Sequence, residues 1–141
     1  MLLRFMGDVI SCGMALLHPP DAALTHAVIG SAIEVHRHLG PGLLESAYRE
    51  CLLYELRTRS IPAESEIPVP LIYKGHALDV GYRLDLRVGA ELVVELKAVE
   101  ALAPIHHAQL ITYMRLTGCR TGLLINFNVP LLRDGIRRVL L

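Results

Sequence analysis

The sequence predicts one α/β domain, a mixed central sheet flanked by helices in the order α-α-β-β-β-α-β, and three observations predict it. Two segments with helical apolar spacing open the domain and meet at Gly40-Pro41-Gly42. From Glu64 onward the apolar period drops to two. A single helical segment then separates the last two strand-like segments, which is the spacing of a crossover connection. At 141 residues the chain fits one domain and can bury a proper core.

The elements follow in order. Pro19-Pro20 stops anything helical before it, and residues 22–39 carry Val28, Ile29, Ala32, Ile33, Val35 and Leu39 at helical spacing. Gly40-Pro41-Gly42 breaks that helix, and a second runs over residues 43–58 with Leu44, Ala47, Tyr48, Cys51, Leu52 and Leu56 as its apolar stripe. In residues 64–73, Ile67, Val69, Leu71 and Tyr73 alternate as in a strand, which Pro68 and Pro70 restrict to an edge or irregular pairing. Lys74-Gly75-His76 reads as a turn. Two strands follow, residues 78–88 and 91–98, joined around Gly89-Ala90. A helix over 105–117 is ended by Gly118, and the continuous apolar run 122–127 suits a strand buried on both faces. The tail LLRDGIRRVLL reads equally as a short helix or an edge strand.

Fourteen basic and fourteen acidic side chains cancel, so net charge gives no general attraction to nucleic acid or to anionic lipid. No uninterrupted apolar run reaches the roughly 18 residues of a membrane span. Cys12, Cys51 and Cys119 lack metal-ligand spacing, and their odd number points to a reducing, cytoplasmic setting. Residues 1–21 read as an N-terminal extension, either a poorly ordered leader or a gene-start artefact with Met6 or Met14 as the true start. The domain proper is 22–141.

Chemistry concentrates on the hairpin. Tyr82, Leu84, Leu86 and Val88 occupy one parity of the first strand, with Arg83, Asp85 and Arg87 on the other; Leu92, Val94 and Leu96 then alternate with Glu95 and Lys97. A three-residue loop, Gly89-Ala90-Glu91, would set Asp85 opposite Glu95 and Arg83 opposite Lys97. A two-residue loop would send the two carboxylates to opposite faces. Adjacent carboxylates repel unless a cation lies between them, and Mg²⁺ takes one or two carboxylates with water and substrate oxygens. The same pattern also describes a solvated strand face with ion pairs from Glu95 and Lys97 to Arg83 and Asp85.

The word Asp85…Glu95-Leu96-Lys97 resembles the PD-(D/E)xK nuclease superfamily, with Leu84 where the superfamily name has proline. The run from Ile33 to Tyr48, in which Gly42, Glu45 and Tyr48 fall on the name motif, is similar to the GxxExxY protein family, a branch of that superfamily. Gly81-Tyr82-Arg83-Leu84-Asp85, Val94-Glu95-Leu96-Lys97-Ala98-Val99 and Gly122-Leu123-Leu124-Ile125-Asn126-Phe127 follow in order, so the likeness covers residues 24–141. It implies a restriction-endonuclease-like core and a nuclease using Mg²⁺ or Mn²⁺ on nucleic acid, DNA first. Asp85, Glu95, Lys97 and Glu45 would be catalytic, with Asp85, Glu95, Glu45 and the Leu96 carbonyl as metal ligands. Gln109 and Tyr113 resemble the Q-x-x-x-Y motif of RecB-type exonucleases, which helps to position DNA.

Taken alone, Glu45 is also a first-turn glutamate favoured by the helix dipole, and Tyr48 a packing residue with a polar tip. His36 is expected to face the site from the first helix as a phosphate or water contact, and Arg83 to meet phosphate. His36, His38, His106 and His107 are adjacent or two apart, a spacing that does not converge on zinc. Two other functions compete with a nuclease: a catalytically inactive nucleic-acid or protein interaction module on the same fold, and a self-associating domain, a homodimer, using the RRVLL end as an edge.

Overall fold

The computed structural model describes residues 22–141, and the expectations for the extension 1–21 lie outside them. Helices α1 (Ala22–Leu39) and α2 (Glu45–Thr58) precede strands β1 (Ala63–Pro68), β2 (Leu71–Tyr73), β3 (His76–Leu78), β4 (Arg83–Val88) and β5 (Leu92–Lys97). Helix α3 (Pro104–Thr117), β6 (Thr121–Asn126), a 3₁₀ turn (Leu132–Gly135) and β7 (Ile136–Leu140) complete the chain. Five strands form one mixed sheet in the order β1-β4-β5-β6-β7, consistent with a restriction-endonuclease-like fold. Among the described residues β5 and β6 are the one parallel pair, joined by the crossover helix α3.

Helices cover both faces. Val28, Ala32 and Val35 of α1 and Tyr48, Leu52 and Leu56 of α2 pack on Leu86, Val94, Leu96, Leu123, Ile125 and Phe127. On the other face Leu110 and Met114 of α3 pack with Leu84, Val93 and Leu124. Every residue of β6 is buried, as its unbroken apolar run requires. Gly122 lets α3 approach: a Cβ there would fall 2.6 Å from Met114 Sδ and 2.9 Å from Leu110 Cδ1.

Four sequence expectations change in detail. The strand expected over 64–73 is two strands, because Pro68 and Pro70 cannot sustain one ladder: β1 stays at the sheet edge while β2 leaves to pair with β3. The turn joining β2 and β3 is Lys74-Gly75, both at positive φ, the two-residue type that matches strand twist. The strand expected over 78–88 begins at Arg83, after an irregular stretch in which Gly81 has φ 77°. The tail is a 3₁₀ turn followed by an edge strand, β7, antiparallel to β6.

Candidate active site

The hairpin register is that of a three-residue loop: Val88 pairs with Leu92, Arg87 with Val93 and Leu86 with Val94. The next rung holds Asp85 and Glu95, and there side chains take over from the ladder. Glu95 Oε1 accepts the Asp85 N–H at 3.1 Å, and Asp85 Oδ2 accepts the Leu96 N–H at 2.9 Å. Both carboxylates are buried, Asp85 at 9% and Glu95 at 5% exposure. Charged groups this deep persist only with hydrogen bonds and a nearby opposite charge.

Two details depart from simple alternation. Leu84 belongs to the α3-side core while Leu86 and Val88 belong to the opposite core, so the backbone changes face across Asp85. The paired part of β4 and β5 stops at Leu86 and Val94, short of the expected Arg83–Lys97 pair, and Arg83 is paired on its β1 side alone, with Pro68. On the β1 side, Ser65 pairs with Leu86 and Ile67 with Leu84, while Glu66 between them has φ 51° and drops out of the ladder. Glu66, Asp85 and Glu95 therefore lie in one row across three strands, at the place where the sheet loosens.

Helix α2 brings two more groups. Tyr48, fully buried, donates from its hydroxyl to Gly40 O at 2.6 Å and accepts the Leu43 N–H at 3.1 Å, closing the Gly-Pro-Gly corner. Its ring stacks on Phe127 at 4.4 Å between centroids, which ties the start of α2 to the end of β6. Glu45 then opens α2, and Arg49 follows one turn later on the same side. Burial and the charge of Asp85 hold Glu45 above the ordinary carboxylate range, against the pull of Lys97 and Arg49. Arg49 Nη1 meets Asp85 Oδ1 at 3.4 Å, and its Nη2 meets Glu66 Oε1 at 3.3 Å.

Lys97 closes β5, half-buried, beside Asn126 in the parallel register. Burial and the neighbouring Asp85 push Glu95 up to about 8, with Lys97 pulling the other way. Without a further cation this carboxylate pair therefore holds a proton near neutral pH. From α3, Gln109 and Tyr113 line a depression of about 270 Å³ together with Tyr82, Ile105, Ala108 and Thr112. Burial, with smaller contributions from the charges of Glu95 and Asp85, raises the Tyr113 hydroxyl, and the ring meets Tyr82 edge-on at 6.2 Å. A larger depression, about 660 Å³, lies at the other end of β4 around Arg57, Arg87 and Gly89, away from the carboxylates.

The structure thus gathers Asp85, Glu95, Leu96, Lys97 and Glu45, with Gln109 and Tyr113 along one border and Arg83 exposed at the outer end of β4. It does not bring His36 there. The buried His36 ring places Nε2 2.8 Å from Val129 O and lines a different depression with Pro130 and Leu131, because its helix face packs on the β6–β7 connection. Three participants escaped the sequence reading. Nothing local in the sequence singles out Arg49 or Glu66, one on a helix and the other on an edge strand. Asn126, 2% exposed, spans the segment after β5 by donating to Val99 O at 2.9 Å and accepting the Val99 N–H at 3.1 Å.

Among the described residues no three His, Cys, Asp or Glu side chains form a ready-made metal cage. Mg²⁺ needs none: one or two carboxylates suffice, with water and substrate oxygens completing the octahedron. The buried Asp85–Glu95 pair, two carboxylates on adjacent strands, fits such an ion. A family model described as the PD-(D/E)XK nuclease superfamily matches residues 22–139. No curated protein and no solved structure matches the chain.

Proposed function

We infer that this chain, which belongs to the PD-(D/E)XK nuclease superfamily, is a divalent-metal-dependent nuclease that hydrolyses phosphodiester bonds of nucleic acid, with DNA as the first substrate to test. Members of the superfamily are generally metal-dependent nucleases. The observation that carries the reading is the Asp85–Glu95 rung: two buried carboxylates, each accepting a backbone N–H from the facing strand where the regular ladder stops, with the charge of Lys97 acting on Glu95.

Asp85 and Glu95 would hold the ion, with Glu45 and the Leu96 carbonyl as further oxygen donors. When bound, Mg²⁺ or Mn²⁺ supplies Lewis-acid polarisation of a phosphoryl oxygen and an acidified water. Lys97 neutralises charge that develops on the phosphoryl group. Gln109 and Tyr113 orient the strand across the border of the site, and Arg83 contacts phosphate at the outer end of β4. The match to Gly42, Glu45 and Tyr48 supports placement in the GxxExxY branch.

The test is DNA cutting by purified protein with Mn²⁺. Lys97→Ala is expected to lower the rate by roughly 10²–10³, the usual effect of removing one transition-state donor, with an unchanged circular dichroism spectrum. Metal-dependent cutting that survives Asp85→Ala would sink the proposal. One observation favours an inactive module on the same fold: Arg49 already supplies a positive charge to Asp85.

A further inference from the structure

Arg49 stands between two members of the carboxylate row. Its side chain is 16% exposed, and it reaches Asp85 Oδ1 at 3.4 Å on one side and Glu66 Oε1 at 3.3 Å on the other. Both contacts are longer than the roughly 2.7–2.9 Å of a strong charge-assisted hydrogen bond. Its Nε is buried without a hydrogen bond and is 3.8 Å from Glu50 Oε1. The guanidinium is thus held loosely by several acids instead of tightly by one.

The two oxygens of Asp85 are divided. Oδ2 is committed to the Leu96 N–H, and Oδ1 is the one that Arg49 occupies. An ion held by Asp85 and Glu95 needs a carboxylate oxygen from Asp85, and Oδ1 is the one not tied into the backbone. Glu66, 53% exposed and on the side of Asp85 away from Glu95, already holds the other half of the guanidinium. A short rotation toward Glu66 would free Oδ1 and leave Arg49 paired.

We propose that Arg49 is the resident counter-ion of the carboxylate pair, and that a divalent ion loads the site by displacing it from Asp85 onto Glu66. Arg49 then sets the metal concentration at which the site fills, and Glu66 lowers that concentration by receiving the displaced charge. This rests on the metal-dependent reading above. A purely structural Arg49, tying α2 to the sheet, would alter stability without altering metal affinity.

The experiment is thermal unfolding of the full chain across a Mn²⁺ titration, since an ion that binds only the folded state raises the melting temperature by mass action. The concentration giving half the effect is expected to fall roughly tenfold in Arg49→Gln, the factor that corresponds to about 1.4 kcal/mol of competition. It should stay near the wild-type value in Arg49→Lys and rise in Glu66→Gln, where the displaced guanidinium loses the charge that would receive it. An unchanged midpoint in Arg49→Gln overturns the proposal, as does a midpoint in Glu66→Gln at or below wild type. If Arg49→Gln does not fold, Glu66→Gln decides. No metal response in the wild-type chain would instead remove the metal-dependent reading, and this inference with it.

Discussion

Asp85 and Glu95 are joined by side chain to backbone at each end: Glu95 Oε1 accepts from the Asp85 amide, while Asp85 Oδ2 accepts from Leu96. Both carboxylates therefore hold β4 to β5 as well as forming the proposed metal site. Glu95→Gln keeps the acceptor and mimics the protonated acid. Metal-free protein carrying it should melt higher than wild type at pH 8–9 and show no Mn²⁺ response. Calorimetry with and without Mn²⁺ checks both.

The metal-free protein should lose stability as pH rises. Glu95 goes from an ordinary value of 4.5 to about 8 on folding, so between those values the folded state binds more protons than the unfolded one. The benefit is complete below about 4.5 and declines up to about 8, by at most about 1.4 kcal/mol per pH unit for one proton. Glu45 is raised too and acts in the same direction. Urea unfolding across this range should show the decline, and saturating Mn²⁺ should flatten it, because the ion binds the deprotonated pair.

Tyr48→Phe leaves the stack on Phe127 but removes one donor to Gly40 and one acceptor for Leu43. Stability should drop by about 1–3 kcal/mol, the usual result of stranding partly buried polar groups. Because Glu45 starts its helix at this corner, Mn²⁺ affinity should weaken as well. Denaturant midpoints and the metal titration separate the two effects.

The hairpin was the most legible part of the site. Merging Leu86 and Val88 with Leu92 and Val94 on one face allows only an odd loop, and Val88 does pair with Leu92 across Gly89-Ala90-Glu91. Helix ends were legible wherever the breaker is intrinsic to the backbone, as at Gly40 and Gly118, both at positive φ. What stayed hidden depends on contacts distant in sequence. Nothing local makes Leu84 cross to the other core, Glu66 leave its ladder or Arg49 turn inward. Leu84 joins Leu110, Met114 and Leu124 in the core beneath α3, Glu66 meets Arg49, and Arg49 meets Asp85, 36 residues away. His36 was misplaced for the same reason: its partner, Val129, is 93 residues away.

Tyr113→Phe should leave the fold and the metal midpoint intact and raise KM for nucleic acid with a smaller change in kcat. Its hydroxyl stays protonated because burial and the nearby carboxylates oppose ionisation, so it can only gain or lose hydrogen bonds to a bound strand. Steady-state kinetics on an oligonucleotide substrate measures the split.

Gly122→Ala should destabilise the domain by about 1–3 kcal/mol, since the added methyl displaces Met114 and Leu110 beneath α3. Helix α3 carries Gln109 and Tyr113, so substrate binding should weaken more than metal binding.

The stretch from Val69 to Tyr82 leaves the main sheet and comes back to the same rung, where Pro68 lies opposite Arg83 and the Val69 N–H meets Tyr82 O at 2.9 Å. Everything between is a separate two-stranded flap bearing exposed Ile72, Tyr73, Leu78 and Val80. The sheet has no register with which to sense the flap's size, and doubling such a loop adds only about 0.6 kcal/mol of closure entropy. Its root adjoins Tyr82, on the border with Tyr113. The flap can thus be lengthened, trimmed or exchanged, changing what flanks that border while the carboxylate row stays as it is. On the proposed nuclease reading, the surface that would meet substrate and the carboxylates that would hold the ion are mechanically separable in this chain.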